Sequence, residues 1–237
     1  MYNYKSDDMK KLLTIAFAFL ATVLTSELKA QNVQLLYDTG RNCVTSTVEM
    51  FRPDNGGSTY FFVDMDYTPQ ITGAYWEIAR EFNFWQDTRI GWLSAHIEYN
   101  GGLVTGFAFS NNLLAGLTYS GHSEDYSKTW SLSAMYKSIF SKPYMHSFQI
   151  TGVWGIDFAK GWCSFSGFFD FWRENMYWEN GMTRYIFMSE PQFWVNLNKI
   201  KGWDKVNLSV GGEVELSANF VAKGFHVMPA VGAKSTF

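Results

Sequence analysis

Short segments in which apolar and polar side chains alternate make up most of the chain after residue 30, and this pattern restricts the fold most strongly. Alternation with a period of two is typical of β-strands whose two faces meet different environments. No apolar run of about 18 residues occurs in this part of the chain, which excludes membrane-spanning helices there. Gly, Asn, Asp, Pro and Lys divide it into twelve predicted strands: 33–39, 44–52, 57–67, 74–84, 89–99, 110–120, 129–140, 146–158, 162–174, 183–197, 206–217 and 225–237.

The two faces of these strands differ in a consistent way. One face is apolar and aromatic and the other is polar and often acidic, as where Val210 and Val214 alternate with Glu213 and Glu215. A secreted β-sandwich would alternate too, and it remains the alternative. Aromatic residues at strand ends and the closing Phe237 instead indicate an outer-membrane barrel, whose outer surface carries aromatic girdles. We therefore predict an all-β protein, a 12-stranded antiparallel transmembrane β-barrel over residues 31–237.

The first 30 residues have the features of an export signal. Lys10 and Lys11 follow Met9, an apolar stretch covers 12–24, and Leu28-Lys29-Ala30 resembles a signal-peptidase site. We predict that residues 1–30 are a signal peptide cleaved near Ala30, and that residues 1–8 come from a mis-assigned start. An uncleaved anchor helix is the alternative. The exported chain would then reside in the outer membrane of a Gram-negative cell.

Polar residues of the alternating segments would face the barrel interior, because carboxylates are costly against lipid. Carboxylates in water accept hydrogen bonds from sugar hydroxyls and base amines, and aromatic rings stack on bases. This combination suits a nucleoside, whereas cross-lumen salt bridges that fill a narrow barrel are the competing interpretation. The candidate solute-binding residues are Asp64, Asp66, Glu98, Phe168, Asp170, Trp194, Glu213 and Glu215.

Several longer stretches also resemble a known family: VEMFRPDNGGSTYFFVDMDY (48–67), GAYWEIAREFNFW (73–85), HIEYNGG (96–102), FSGFFDFWRE (165–174), SEPQFWVNLNK (189–199) and NLSVGGEVELSANF (207–220). On these residues the chain resembles the Tsx-like nucleoside-specific channel-forming outer-membrane proteins, especially a branch common in Bacteroidetes. The resemblance covers nearly all of residues 31–237. It implies a twelve-stranded barrel that passes nucleosides or similar small solutes, and it carries over no individual site residue.

Other functions find little support in the sequence. The net charge of −3 gives no basic surface for nucleic acid, and the four histidines show no metal-ligand spacing. We expect no enzyme activity, catalytic residue, metal or cofactor; His146 beside Ser147 is the one candidate for a lipid-modifying enzyme. A closed structural or binding barrel is the main alternative to a channel. The expected partners are the bilayer, lipopolysaccharide, the barrel-assembly machinery and small solutes, and we expect a monomer.

Overall fold

The computed structural model describes residues 31–237 except residues 106, 109, 141, 143 and 144, and it describes only the backbone of Phe107 and Ala108. The predicted signal peptide, residues 1–30, lies outside the described residues. Among the residues that are described, no helix is long and apolar enough to cross a membrane.

β-Strands account for most of the described chain. In chain order they are β1 (Gln31–Asp38), β2 (Cys43–Asp54), β3 (Gly57–Tyr67), β4 (Ile71–Phe82), β5 (Leu93–Val104), β6 (Phe107–Ala108), β7 (Asn112–His122), β8 (Lys128–Ile139), β9 (His146–Phe158), β10 (Cys163–Trp178), β11 (Gly181–Ser189), β12 (Gln192–Asn196), β13 (Leu208–Ala218) and β14 (Phe225–Thr236). Two single-turn 3₁₀ helices, Ala159–Gly161 and Leu197–Lys199, lie in connections.

The sheet closes on itself with antiparallel pairing throughout. β1 pairs with both β2 and β14, and β9 pairs with β10. β11 and β12 form one strand, because both pair with β10 and β13, and each register continues unchanged from Ser189 to Gln192. The ladder is interrupted between them at Pro191, which has no N–H to donate. With β6 set aside as a two-residue extension beside β5, the barrel has twelve strands, which confirms the predicted fold.

The connections lie at two ends of the barrel, and their lengths correct one prediction. We call the end with Gln31 and Thr236 the terminal end and the opposite one the far end. The predicted strand bounds leave long connections around 101–109 and 175–181, both at the far end. In the structure β10 and β11 reach Trp178 and Gly181, so that a short turn joins them, and the longest connections, 83–92 and 197–207, lie at the terminal end.

The outward surface is apolar over the strands and aromatic near their ends. Outward side chains such as Val210, Val227 and Val231 are 41–57% exposed although large and apolar, as expected for a surface that lipid covers. At the terminal end the rings of Trp92 and Tyr119 lie 5.0 Å apart. Near the far end, Phe171 stacks on Tyr185 at 5.7 Å. These rings form the girdles that the sequence predicted.

Arg80 is a charged exception on this apolar face, because its place in the alternation of its strand directs the side chain outward. Its guanidinium reaches the β2–β3 turn at the terminal end, where Nη1 and Nη2 donate to the Asp54 carboxylate at 2.6 and 2.8 Å. Nη1 also donates to Thr59 Oγ1 at 3.0 Å. The β3–β4 register is regular around Arg80, so the arginine reaches the polar rim by extending its side chain and no bulge is needed.

Candidate functional site: the barrel lumen

All eight predicted site residues lie on the inward faces of their strands, and the structure distributes them over several contact groups. Their inward phase follows from the alternation, because directly paired residues share a face. Several inward positions are almost completely buried even though they lie inside the barrel. Glu98, Asp170, Trp194 and Glu215 are each at most 7% exposed. The lumen is therefore filled by side chains over part of its length.

Asp64 and Asp66 form an acidic strip on β3 beside threonines of β2. Thr47 Oγ1 donates to Asp64 Oδ1 at 2.5 Å, and Thr45 Oγ1 donates to Asp66 Oδ1 at 2.7 Å. These pairs are direct cross-strand neighbours in the β2–β3 register. Each aspartate thus accepts one hydrogen bond from the wall and has further acceptor capacity for a solute or water.

Arg41 of the far-end loop 39–42 sits against this strip and was not anticipated from the sequence. Its Nε donates to Asp38 Oδ2 at 2.5 Å, and its Nη1 lies 3.7 Å from Asp66 Oδ2. Burial lowers the pKa of the Arg41 guanidinium, but the hydrogen bond to Asp38 and the charges of Asp66 and Asp38 outweigh it, and the pKa is raised. Arg41 thus remains a cation at the far-end mouth.

Glu213 and Glu215 face inward from β13. Gln192 Nε2 donates to Glu213 Oε2 at 3.0 Å. Glu213 and Asp64 act electrostatically on Glu190, and Asp64 also acts on Glu213. Acids from three strands therefore face one region of the lumen. Glu215 Oε1 is buried without a hydrogen-bond partner among the described residues.

A hydrogen-bonded ladder runs along the opposite wall through Glu98. His96 Nδ1 lies 2.6 Å from Glu81 Oε1, and His96 Nε2 lies 3.3 Å from Glu98 Oε2. Asn100 Nδ2 donates to Glu98 Oε1 at 2.8 Å. The sequence could have indicated this group, because Glu98, His96 and Asn100 share one strand face, but His96 was considered there only as a possible metal ligand.

Asp170 belongs to a third group, which contains the cation Lys137. Gln149 Nε2 donates to Asp170 Oδ1 at 3.1 Å, and Thr151 Oγ1 donates to the same oxygen. Lys137 Nζ donates to Gln149 Oε1 at 2.7 Å and lies 4.5 Å from the ring centre of Trp172. The amide of Gln149 therefore links the cation to the carboxylate.

The two predicted stacking rings differ in their surroundings. Trp194 is 0% exposed and forms a small apolar cluster inside the lumen with Leu36 and Ala230. Its Nε1 donates to Gln192 Oε1 at 3.0 Å, so neither face nor edge is open to a solute in this conformation. Phe168 also points inward but is only partly buried, which leaves ring surface accessible.

A polar cavity of about 360 Å³ opens into the lumen at the terminal end. Its polar lining includes Asp157, Ser164, Asn196, Asn198, Ser209 and Lys234. None of these residues was among the predicted site residues. The alternation places such residues inside the barrel but does not show that they surround one space.

The enzyme alternative depended on a pairing of His146 with Ser147, which the structure does not form. Adjacent residues of a strand point to opposite faces. The His146 ring faces outward and pairs with the Tyr136 hydroxyl, while the Ser147 hydroxyl donates to the backbone carbonyl of Arg173. The residues that the structure describes also contain no group of three or more His, Cys, Asp or Glu that could hold a metal ion.

Comparison with known proteins assigns a family and agrees with the fold. Residues 30–237 match the family described as Domain of unknown function (DUF5020), and the chain belongs to this family. No curated protein matches the sequence. Among solved structures, the NanC porin in a rhombohedral crystal form has a TM-score of 0.55 at 6% identity over 88% of this chain and 100% of that one. The beta domain of the Bordetella autotransporter BrkA has a TM-score of 0.33 at 9% identity, covering 88% of this chain and 97% of that one.

Proposed function

We propose that the protein is an outer-membrane channel through which small polar solutes diffuse, and that nucleosides are among these solutes. The observation that carries the proposal is a closed barrel with an apolar outer belt and a lumen lined by carboxylates, amides and hydroxyls. Such a lumen offers acceptors for hydroxyl and amine protons of an uncharged polar solute. The bilayer, lipopolysaccharide and the barrel-assembly machinery would be its partners, after export and cleavage near Ala30.

Nucleosides are proposed for two reasons that are independent of each other. The resemblance to Tsx-like channels points to them, and the acidic region around Asp64 and Glu213 could accept hydrogen bonds from ribose hydroxyls. Phe168 offers a partly exposed ring, and stacking of a base on an aromatic ring contributes ~1–3 kcal/mol. Trp194 would have to leave its cluster with Leu36 and Ala230 before it could stack.

A closed structural or binding barrel is the second candidate, and the burial of lumenal side chains favours it. Trp194 and Leu114 are both 0% exposed, and Leu36 is 1% exposed, although all three point inward. Side chains at this degree of burial leave no water layer beside them. A channel would therefore have to run beside these packed regions.

Swelling of proteoliposomes tests the proposal. We expect adenosine to enter faster than a neutral sugar of similar size, because the sugar has no base to stack. The double variant Asp64→Asn and Glu213→Gln should reduce the entry of adenosine. Glu124→Gln, in the exposed loop between β7 and β8, is the matched control and should have no effect.

Each other result rejects a specific part of the proposal. Equal entry of adenosine and the sugar would retain the channel and reject nucleoside preference. No swelling with any solute, although the barrel is folded, would favour the closed barrel.

A further inference from the structure

Two lysines point into the lumen, and they differ in how their charges are satisfied. Each ammonium lies over a tryptophan ring, Lys137 over Trp172 and Lys234 over Trp194 at 4.6 Å. Lys137 also donates to Gln149. Within the described part of the chain, no hydrogen bond or ion pair engages Lys234. A contact with an aromatic face leaves the N–H donors of Lys234 available.

Lys234 and Asp157 line the same terminal-end cavity without pairing to each other. No carboxylate of the described residues lies within 4.0 Å of Lys234 Nζ. The volume of about 360 Å³ is within the roughly 300–1,000 Å³ range of small-molecule sites. The cavity thus presents the ammonium of Lys234 and the carboxylate of Asp157, which are not paired with each other.

A chain of hydrogen bonds positions the carboxylate of Asp157. Ser209 Oγ donates to Asn196 Oδ1 at 2.7 Å, Asn196 Nδ2 donates to Ser164 Oγ at 3.1 Å, and Ser164 Oγ donates to Asp157 Oδ1 at 2.6 Å. Each member of this chain therefore donates to the next, and the last donor, Ser164, donates to Asp157. The second carboxylate oxygen stays available as an acceptor.

We propose that the terminal-end cavity binds a small zwitterion of the amino-acid class. The ligand's carboxylate would accept hydrogen bonds from Lys234, and its ammonium group would donate to Asp157. A ligand with one charge would satisfy only one of the two protein groups, and a neutral polyol would satisfy neither charge. This site goes beyond the proposed channel and does not require the pore to conduct.

Calorimetric titration of the purified, folded barrel with four probes tests the assignment. L-serine carries both charges, N-acetyl-L-serine keeps only the carboxylate, L-serine methyl ester keeps only the ammonium group, and glycerol has neither. We expect L-serine to bind about tenfold or more tightly than each of the other three, because each of them loses at least one charge-assisted hydrogen bond to the cavity.

Paired substitutions locate the site. Lys234→Met keeps the length of the chain over Trp194, and Asp157→Asn keeps the acceptor for Ser164, yet each should weaken the binding of L-serine about tenfold. Lys205→Met and Asp204→Asn change the same charges in the exposed 197–207 connection at the same end, outside the cavity lining, and should leave binding unchanged. Lys234→Arg, which keeps the charge, should retain most of the affinity.

The outcomes separate this proposal from the proposed channel. Binding of N-acetyl-L-serine or glycerol as tight as that of L-serine, equal losses in the two control variants, or no binding by any probe would overturn the zwitterion site. Conductance is measured separately. A silent barrel that binds L-serine would reject only the channel, and a conducting barrel that does not bind it would reject only this site.

Discussion

At the scale of single residues, the same amino acid has a different role on each face of the barrel wall. Val231 and Val153 are both near the middle of their strands and are 57% and 45% exposed. Val231 faces outward, whereas Val153 pairs with Ser131 and Phe168 on the inward face. An exposed valine therefore faces lipid in one case and the lumen in the other.

A charge placed at these two valines should distinguish the faces. Val231→Arg should destabilise the barrel by ~2–4 kcal/mol, the cost of an arginine facing lipid near the bilayer midplane. Val153→Arg should cost clearly less, because the lumen supplies polar groups and carboxylates. Denaturant titrations of the two variants in lipid vesicles measure the difference. Equal losses of stability would mean that both positions are dry, or that the faces are reversed.

At the scale of strands, the alternation predicted the number of strands and the phase of each one, but not where all of them end. Residues 89–92 were predicted to begin a strand, yet they belong to consecutive turns in which Gly91 N donates to Thr88 O and Leu93 N donates to Ile90 O. The predicted end of a strand at residue 174 was also wrong, because a register shift between Arg173 and Met176 lets β10 continue. Tight turns and bulges depend on local backbone geometry, which a period-two pattern does not contain.

Cross-strand pairing of glycine with an aromatic ring gives a prediction at this scale. A Cβ on Gly152 would lie 2.2 Å from Phe169 Cε1, whereas on Gly155, in the same strand, the nearest atom would be Thr129 Oγ1 at 3.0 Å. Gly152→Ala should therefore destabilise the barrel by about 1–3 kcal/mol through overpacking, and Gly155→Ala should cost less. Unfolding measurements on both variants and on Gly152→Ala combined with Phe169→Leu check the cause. If the second substitution does not reduce the loss, the ring is not the source of the strain.

At the scale of the whole molecule, the sequence predicted which side chains enter the lumen but not how they share it. The inward position of Asp64, Glu98 and Glu213 follows from alternation alone. Alternation within one strand does not show which side chains meet across the barrel. It therefore did not indicate that Trp194 would be covered by Leu36 and Ala230, or that Arg41 would reach Asp66 from a loop.

The balance of charge in the lumen should determine the ion selectivity of an open pore. Inward carboxylates outnumber the inward cations Lys137, Lys234 and Arg41 among the described residues; they include Asp38, Glu49, Asp64, Asp66, Glu77, Glu81, Glu98, Asp157, Asp170, Glu190, Glu213 and Glu215. A narrow path with low-dielectric walls concentrates this negative potential. We therefore expect a preference for K⁺ over Cl⁻ that becomes smaller as salt concentration rises.

Reversal potentials in planar bilayers under a KCl gradient measure this preference, and substitutions of opposite sign test its source. Glu213→Gln with Glu215→Gln removes negative charge from the lumen and should reduce the preference for K⁺. Arg41→Gln removes the far-end cation beside Asp66 and should increase it. Glu124→Gln, exposed in the loop between β7 and β8, should change neither. A preference for Cl⁻ in the unmodified protein would mean that the lysines and Arg41 line the narrowest part of the path, with the carboxylates held away from it by their hydrogen bonds to the wall.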